Sequence, residues 1–486
     1  MERAIKVARI NENLDNERLN ELPDELILKI FSFLPMFKET VATELISRQW
    51  SEKDPWKLVS DVTLDDDDQT LVTFMSFVYG SLLSNDAQIL ERLHLKLITR
   101  KFSVYSDSDI DFVVRIAVNQ ALRKLRIYLF GKTLNFPSCL SNCTTLKSLI
   151  LSDLKIEVFP AGFCLPSLKS LHLFSVKLLG NESVASLLQI CPDLEYLVIN
   201  ETRYYDDDNV DFCLSSLKSL HLSSDTFLKF GHESDRYVSR LLQRCPVLEC
   251  LVVNRANRDN VMLFHIDVPT LRSLSINESR SSRDYGYEGF VINAPALEEL
   301  NFKVTCSNFV MFEYMPEVTK ANIEVKYCDQ SEKFIGSLTS IHSLSLCSKT
   351  SKTPYPRGNF FFFLEHLELC TCSKGWTNLL ACLLNGAPRL QSLKLESKHG
   401  VDYNDPIKNH WIEPKVVPEC LSKHLEILEW RQYEGTEQDR EVAAYILANA
   451  TCLKMGTFSI SSKCKNKKAE LKKMSRVSET CQLVFE

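Results

Sequence analysis

One spacing of apolar residues recurs along most of the chain. L-x-x-L-x-L, or a near variant, starts at Leu90, Leu122, Leu146, Leu168, Leu194, Leu217, Leu248, Leu271, Leu297 and, weakly, Val318. It continues as IHSLSL, LEHLEL, LQSLKL and LEILEW, the last beginning at Leu425. Successive starts are mostly 21 to 26 residues apart, with three longer gaps. Within each copy the last two apolar positions alternate with polar ones, so a short strand turns them to one face. One strand cannot bury that face, and neighbouring copies must therefore stack around a shared core. Between strands, VASLLQICP, VSRLLQRCP and LLACLLNGAP read as short helices ended by Pro192, Pro246 and Pro388. LPSLKSL and APALEEL carry only a proline before the strand, which predicts an irregular return stroke. About fourteen strands at roughly 4.8 Å each would form a curved parallel sheet on the order of 60 Å long.

The N-terminal pattern differs. LNELPDELILKIFSFLP, Leu19 to Pro35, reads as one short helix fenced by Leu-Pro pairs. Pro23 suits its first position, and Asp24 and Glu25 complement the positive end of the helix dipole. Leu22, Leu26, Ile30 and Leu34 form one i, i+4 row, and Ile27 and Phe31 form a second. Leu28 and Phe33 extend the apolar surface further round. Such a helix needs burial on two sides. The next segment, VATELISRQW, covers one of them through Val41, Ala42, Leu45, Ile46 and Trp50. What remains is either a partner site or a cap on the first repeat.

Composition narrows the function. The spacing of the copies suits a leucine-rich repeat. At 486 residues the chain exceeds a usual single domain, and its net charge of -6 gives no general basis for holding nucleic acid or an anionic membrane. Met1 to Ile10 lacks the apolar core of a secretory signal, and no apolar run spans a bilayer, so an intracellular location, in cytoplasm or nucleus, is expected. The 17 cysteines are scattered, often at leucine-like positions, and read as reduced structural thiols. Their tightest cluster, HLELCTC, places Cys370 and Cys372 near His366 and, further on, Cys382, but lacks paired C-x-x-C knuckles, so no metal is expected. No catalytic fingerprint is present among only 14 glycines, so neither an active site nor a cofactor is expected. Asp65 to Asp68 and Asp206 to Asp208 read as solvated loops, and KCKNKKAELKKMSR as a polar helix face or an import signal.

LPDELILKIFSFLP, followed by VATELISRQW and DPWKLV, resembles an F-box, the helical module that docks onto the adaptor of cullin-RING ubiquitin ligases. VPECLSKHLEILEWRQYEGTEQDREVAAYILANATCLKM, with CQLVFE at the end, resembles the FBD domain of plant F-box proteins. Together with the repeats, these identify the chain as similar to the plant F-box/leucine-rich-repeat/FBD family over nearly its whole length. The resemblance implies an α/β architecture: a helical F-box at 17–60, a curved leucine-rich-repeat solenoid with a parallel sheet at 61–410, and a closing FBD region at 411–486. It further implies an adaptor-binding surface drawn from Leu22, Pro23, Leu26, Ile27, Ile30, Phe31, Leu34, Pro35, Val41, Leu45 and Trp50. The activity implied is a substrate-recognition subunit of an SCF-type ubiquitin ligase, which makes no bonds itself and tethers a target protein. The alternatives are a scaffold with a degenerate F-box and a receptor that needs a small molecule.

The residues flanking the strand leucines should face a target. Between Ser148 and Asn254 this face is short on charge and carries Ile150, His172, Phe174, Tyr196, Val198, His221 and Val252 among small polar neighbours. An aromatic anchor with little to desolvate suits the core of a protein interface. The alternative is an ordinary solenoid surface. Further on, Glu299, Lys303, Lys320, Glu324, Glu368, Lys394 and Glu396 predict a mixed-charge face.

Overall fold

A computed structural model of the chain describes residues 22–31, 33–34, 37–42, 54–65, 71–85, 87, 89–97, 106–157, 159–160, 162–179, 184–200, 213–223, 234–256, 261–279, 289–305, 309–325, 337–348, 361–373, 375–399, 411–460 and 465–486. The chain forms two compact units, Met1–Leu217 and Lys218–Glu486. Every copy of the leucine motif forms a strand.

Unit 1 begins with α1 (Asp24–Phe31), α2 (Phe37–Ala42) and a 3-10 turn, Pro55–Leu58. Its strands are β1 (Asp61–Asp65), β2 (Arg92–Lys96), β3 (Lys124–Leu134), β4 (Ser148–Ile156), β5 (Ser170–Phe174), the two-residue β6 (Lys177–Leu178) and β7 (Tyr196–Asn200). Helices α3 (Leu71–Leu83), α4 (Asp107–Asn119) and α5 (Val184–Gln189) form three of the return strokes. The ladder β1-β2-β3-β4-β5-β7 is parallel throughout, with one register shift between β3 and β4 after Tyr128. Leu64, Leu95, Ile127, Leu151, Leu173 and Ile199 stack in one row, all buried. Each such side chain contributes about 1.5 to 3 kcal/mol relative to exposure, so the in-phase leucines hold the stack together. A capping box starts α4: the Ser106 hydroxyl accepts from the Asp109 N–H, and the Asp109 carboxylate accepts from the Ser106 N–H. Asp65 is not in a solvated loop. It is buried in β1 and paired with Lys96 at 2.6 Å.

Unit 2 runs β8 (Ser219–Ser223), α6 (Ser234–Gln243), β9 (Cys250–Ala256), β10 (Leu263–Asp267), β11 (Ser273–Ser279), β12 (Gly289–Asn293), β13 (Glu299–Val304), β14 (Phe309–Phe312), β15 (Lys320–Val325), β16 (Ser343–Ser348) and β17 (His366–Cys370). It continues with α7 (Trp376–Gly386), β18 (Ser392–Glu396), α8 (Glu419–Lys423), β19 (Ile427–Tyr433), α9 (Glu437–Asn449), β20 (Met455–Ile460), α10 (Lys465–Lys473) and β21 (Gln482–Phe485). The long ladder from β8 to β21 is again parallel. The return strokes of three repeats are not irregular, as APALEEL had suggested. They pair as a second parallel sheet, β10-β12-β14, which buries Phe264, Phe290 and Phe312.

Two features of unit 2 modify the leucine pattern. At the C-terminal end Trp430, Phe458 and Phe485 replace leucine in one row, with Trp430–Phe458 and Phe458–Phe485 centroids 6.2 Å apart. Gly456 takes a leucine position beside them, where a Cβ would lie 2.9 Å from Leu483 Cδ2. β19 pairs directly with β18, so the sheet crosses the boundary expected near residue 411 without a break. The second feature is a buried ion pair. Arg255 Nη1 lies 3.8 Å from Glu278 Oε1, Arg255 Nη2 donates to the Val261 carbonyl at 2.5 Å, and the guanidinium sits 4.7 Å over the Phe264 ring. Glu278 Oε2 accepts from the Thr305 N–H at 3.1 Å.

Candidate partner-binding surfaces

Helix α1 is two-sided. The Pro23 carbonyl accepts from the N–H groups of Leu26 and Ile27, so Pro23 stands at the N-cap rather than at the first helical position. Ile27 and Phe31 are 0% and 3% exposed, within a helix that packs on the Pro55–Leu58 turn, while α2 packs against β1. These two residues, expected on the adaptor-facing surface, are buried within this chain. The reason is periodicity: i, i+4 rows four residues long cannot tell which of two apolar faces the chain covers itself. The middle of the other row and the adjoining Phe33 stay open. Leu26, Ile30 and Phe33 are 47%, 39% and 76% exposed. Pro23 is exposed, and Leu22, Leu34 and Val41 are half-buried. Pro35, Leu45 and Trp50 lie outside the described residues. The helix thus has one buried face, with Ile27 and Phe31, and one that leaves an apolar stripe exposed.

Beneath α1 and α2 lies a cleft of about 510 Å³, walled by Leu28, Phe31 and Leu34 and floored by β1 to β4. Its floor carries Arg92, His94, Lys124, Arg126 and Ile150. Arg92 is held by Asp61 at 2.6 Å, whereas Lys124 and Arg126 make no ion pair among the described residues. Burial pushes the His94 imidazole down to about 4, and the Arg126 guanidinium adds to the shift, so the ring is neutral at pH 7. This basic floor was missed from sequence because its members sit on strands roughly 30 residues apart. The signal was there in RLHLK and KLRIY, where basic residues alternate with the leucines.

Register extends the same row away from the cleft: Thr63, His94, Arg126, Ile150, His172 and Val198 are successive partners across β1 to β7. Five of the seven anticipated target residues therefore meet on unit 1. His172 lies 5.2 Å from the Tyr196 ring and 6.0 Å from Phe174, and its Nε2 is 2.9 Å from Ser170 Oγ. All five are half-buried. The other two, His221 and Val252, are direct partners on β8 and β9 of unit 2, and burial lowers the His221 pKa.

The open face of unit 2 is chemically different. Asn301 Nδ2 donates to Ser275 Oγ at 2.8 Å, and Asn322 Nδ2 to Asn301 Oδ1 at 2.9 Å. Lys394 bridges Glu368 and Glu396, Lys398 meets Glu368 at 2.5 Å, and Lys320 lies 3.5 Å from Glu299. Burial alone would raise the Glu368 carboxyl, but Lys398 and Lys394 together hold it below the usual carboxylate range. The basic tail forms α10, with Lys468 and Lys472 over the Phe485 ring at 5.0 and 5.8 Å.

Comparison with known proteins decides the family. The FBD profile matches residues 413–458, and the profile of LRR repeats of FBD-associated F-box protein At5g56370 matches 110–233. FBD-associated F-box protein At5g56560 of Arabidopsis thaliana is 55% identical over 96% of this chain and 99% of its own length. F-box/FBD/LRR-repeat protein At5g56570 of the same plant is 46% identical over 96% of this chain and 92% of its own. The chain belongs to the F-box/FBD/LRR-repeat family. Among solved structures, a Listeria monocytogenes internalin covers 87% of this F-box/FBD/LRR chain and 95% of its own at 13% identity and TM-score 0.29, too low to bear on function. No described helix of this family member is long and apolar enough to cross a membrane. β19, inside the FBD match, and β20, which begins inside it, are two further strands of the same parallel ladder.

Proposed function

We propose that this F-box/FBD/LRR protein is the substrate-recognition subunit of an SCF-type cullin-RING ubiquitin ligase. The observation that carries the reading is the division of α1. Ile27 and Phe31 are buried within the chain, and Leu26, Ile30 and Phe33 offer an apolar stripe to the ligase adaptor. The repeats hold a target protein through the Ile150–His172–Phe174–Tyr196–Val198 patch. Bond-making is left to the ubiquitin-loaded enzyme, and this chain supplies effective concentration by holding both ends. Co-expression with the adaptor tests it. The wild-type chain should retain the adaptor through size exclusion, and Leu26→Glu with Ile30→Glu should weaken retention at least about 30-fold, roughly 2 kcal/mol, without unfolding. Equal retention by the variant, or none by the wild type, would refute the reading.

The cleft supports a second reading, in which a small anionic molecule shares the target site. Lys124 and Arg126 supply charge there, and Ile150 joins the cleft to the aromatic patch. Target capture from purified components that needs a low-molecular-weight fraction, and fails in Arg126→Glu, is the outcome this reading expects.

A further inference from the structure

Three cysteines of unit 2 meet at one point that sequence spacing did not reveal. The Sγ atoms of Cys347, Cys370 and Cys372 lie within 4.8 Å of one another, and Cys347 and Cys372 are 3.6 Å apart. All three are buried. The neighbours proposed from sequence do not take part: His366 and Cys382 are exposed. Cys347 joins instead from the preceding repeat, following Leu346, whose partner Leu369 precedes Cys370.

Their placement argues against simple packing. In β16 and β17 the leucine side is held by Leu344, Leu346, Leu367 and Leu369, so Cys347 and Cys370 stand on the opposite, open-face parity. On neighbouring strands that row is polar: Asn254, Asn277, Lys303 and Glu324 precede it, and Glu396 and Arg431 follow. Two thiols interrupt a row of amides and charges, and they are buried although the row is open. A strap covers them. The Lys398 N–H donates to Cys370 Sγ at 3.4 Å, Lys398 Nζ reaches Glu368 and Ser345, and His399 Nε2 lies 2.8 Å from Glu324 Oε1.

We propose that Cys347, Cys370 and Cys372 form a three-thiolate site for one soft metal ion, Cu(I). Three sulfurs each about 2.3 Å from a common ion lie roughly 3.8 to 4.0 Å apart, close to the spacing found. Thiolates select soft ions, and a structural zinc site wants four ligands. Among the described residues no His, Asp or Glu joins the three sulfurs, which leaves a three-coordinate ion as the fit. The site ties two adjacent strands and the loop after them, so loading rigidifies the strap region.

The test uses full-length protein purified anaerobically in reductant, exposed to Cu(I) or to Zn(II) and passed over a competing chelator. One copper per chain should remain, with X-ray absorption showing only sulfur neighbours. Loading should slow maleimide labelling of Cys347, Cys370 and Cys372 at least tenfold while leaving Cys382 unchanged. Cys370→Ser and, separately, Cys347→Ser should lose the copper, and Cys382→Ser should keep it. No retained copper, nitrogen or oxygen neighbours in the spectrum, retention of zinc alone, or a Cys347–Cys372 disulfide in place of metal would each overturn the proposal. The labelling comparison on wild-type protein stands even if a serine variant fails to fold.

Discussion

The open faces of the two units each lie on a parallel ladder, and they differ in how far their polar groups pair with one another. On unit 2 the amides of Asn301 and Asn322 donate along their row, and Glu368, Lys394, Glu396 and Lys398 neutralise one another. On unit 1 Arg92 is held by Asp61, but Lys124 and Arg126 make no ion pair among the described residues, and His172, Phe174 and Tyr196 form a half-exposed aromatic group. A face whose groups already satisfy each other gains little from a partner and must lose those bonds to bind one. A face with unpaired cations beside aromatic rings gains from both charge and apolar contact. The contrast makes the unit 1 face the place to test the proposed target recognition first, and the face of unit 2 its control.

The largest effect is expected beneath the unit 2 face, at its buried ion pair. Arg255 and Glu278 are both almost fully buried, so Glu278→Ala breaks a buried ion pair and should cost about 3 to 5 kcal/mol in chemical denaturation. Replacing both, as Arg255→Met with Glu278→Leu, should recover most of that loss, because paired apolar groups do not need each other's charge. A double variant no better than the single one would mean that the Val261 and Thr305 contacts, not the pairing, hold this corner. On unit 1 the expectation reverses. Phe174→Ala with Tyr196→Ala should leave the denaturation midpoint nearly unchanged while reducing target capture about tenfold or more, roughly 1.4 kcal/mol. Unchanged capture by this folded variant would move the target site off the aromatic patch.

How much of this was legible beforehand depended on the distance over which residues had to be related. The strands were readable because Leu149 and Leu151, or Leu393 and Leu395, carry their period within a few residues. Which face of α1 is buried was not, since Ile27 and Ile30 are equally apolar and only the packing on Pro55–Leu58 separates them. Relations between strands were the least visible. Cys347 is 25 residues from Cys372, and Arg126 and His94 are farther apart still, so only the register brings them together. The return strokes misled for a related reason: Phe290 and Phe312 find their burial in a second sheet that no single repeat encodes.

The finest probe of the contrast is His94, on the floor of the unit 1 cleft. Its folded pKa, about 4, lies below the ordinary value of 6.5, so the unfolded chain binds more protons between these limits. The stability that neutral His94 contributes is therefore complete above pH 6.5 and drains away as pH falls towards 4. Wild type and His94→Gln should show the same pH dependence of urea midpoint above pH 6.5, and the wild type should lose stability faster below it. The ring is only half-buried, so solvent screening keeps the difference small. Parallel curves would mean that water reaches the ring freely and that the cleft offers a partner little desolvation. A carboxylate bound beside Arg126 would raise the imidazole pKa by adding opposite charge. The gap between the two curves should then narrow when an anionic target segment is present, which a self-paired face like that of unit 2 could not produce.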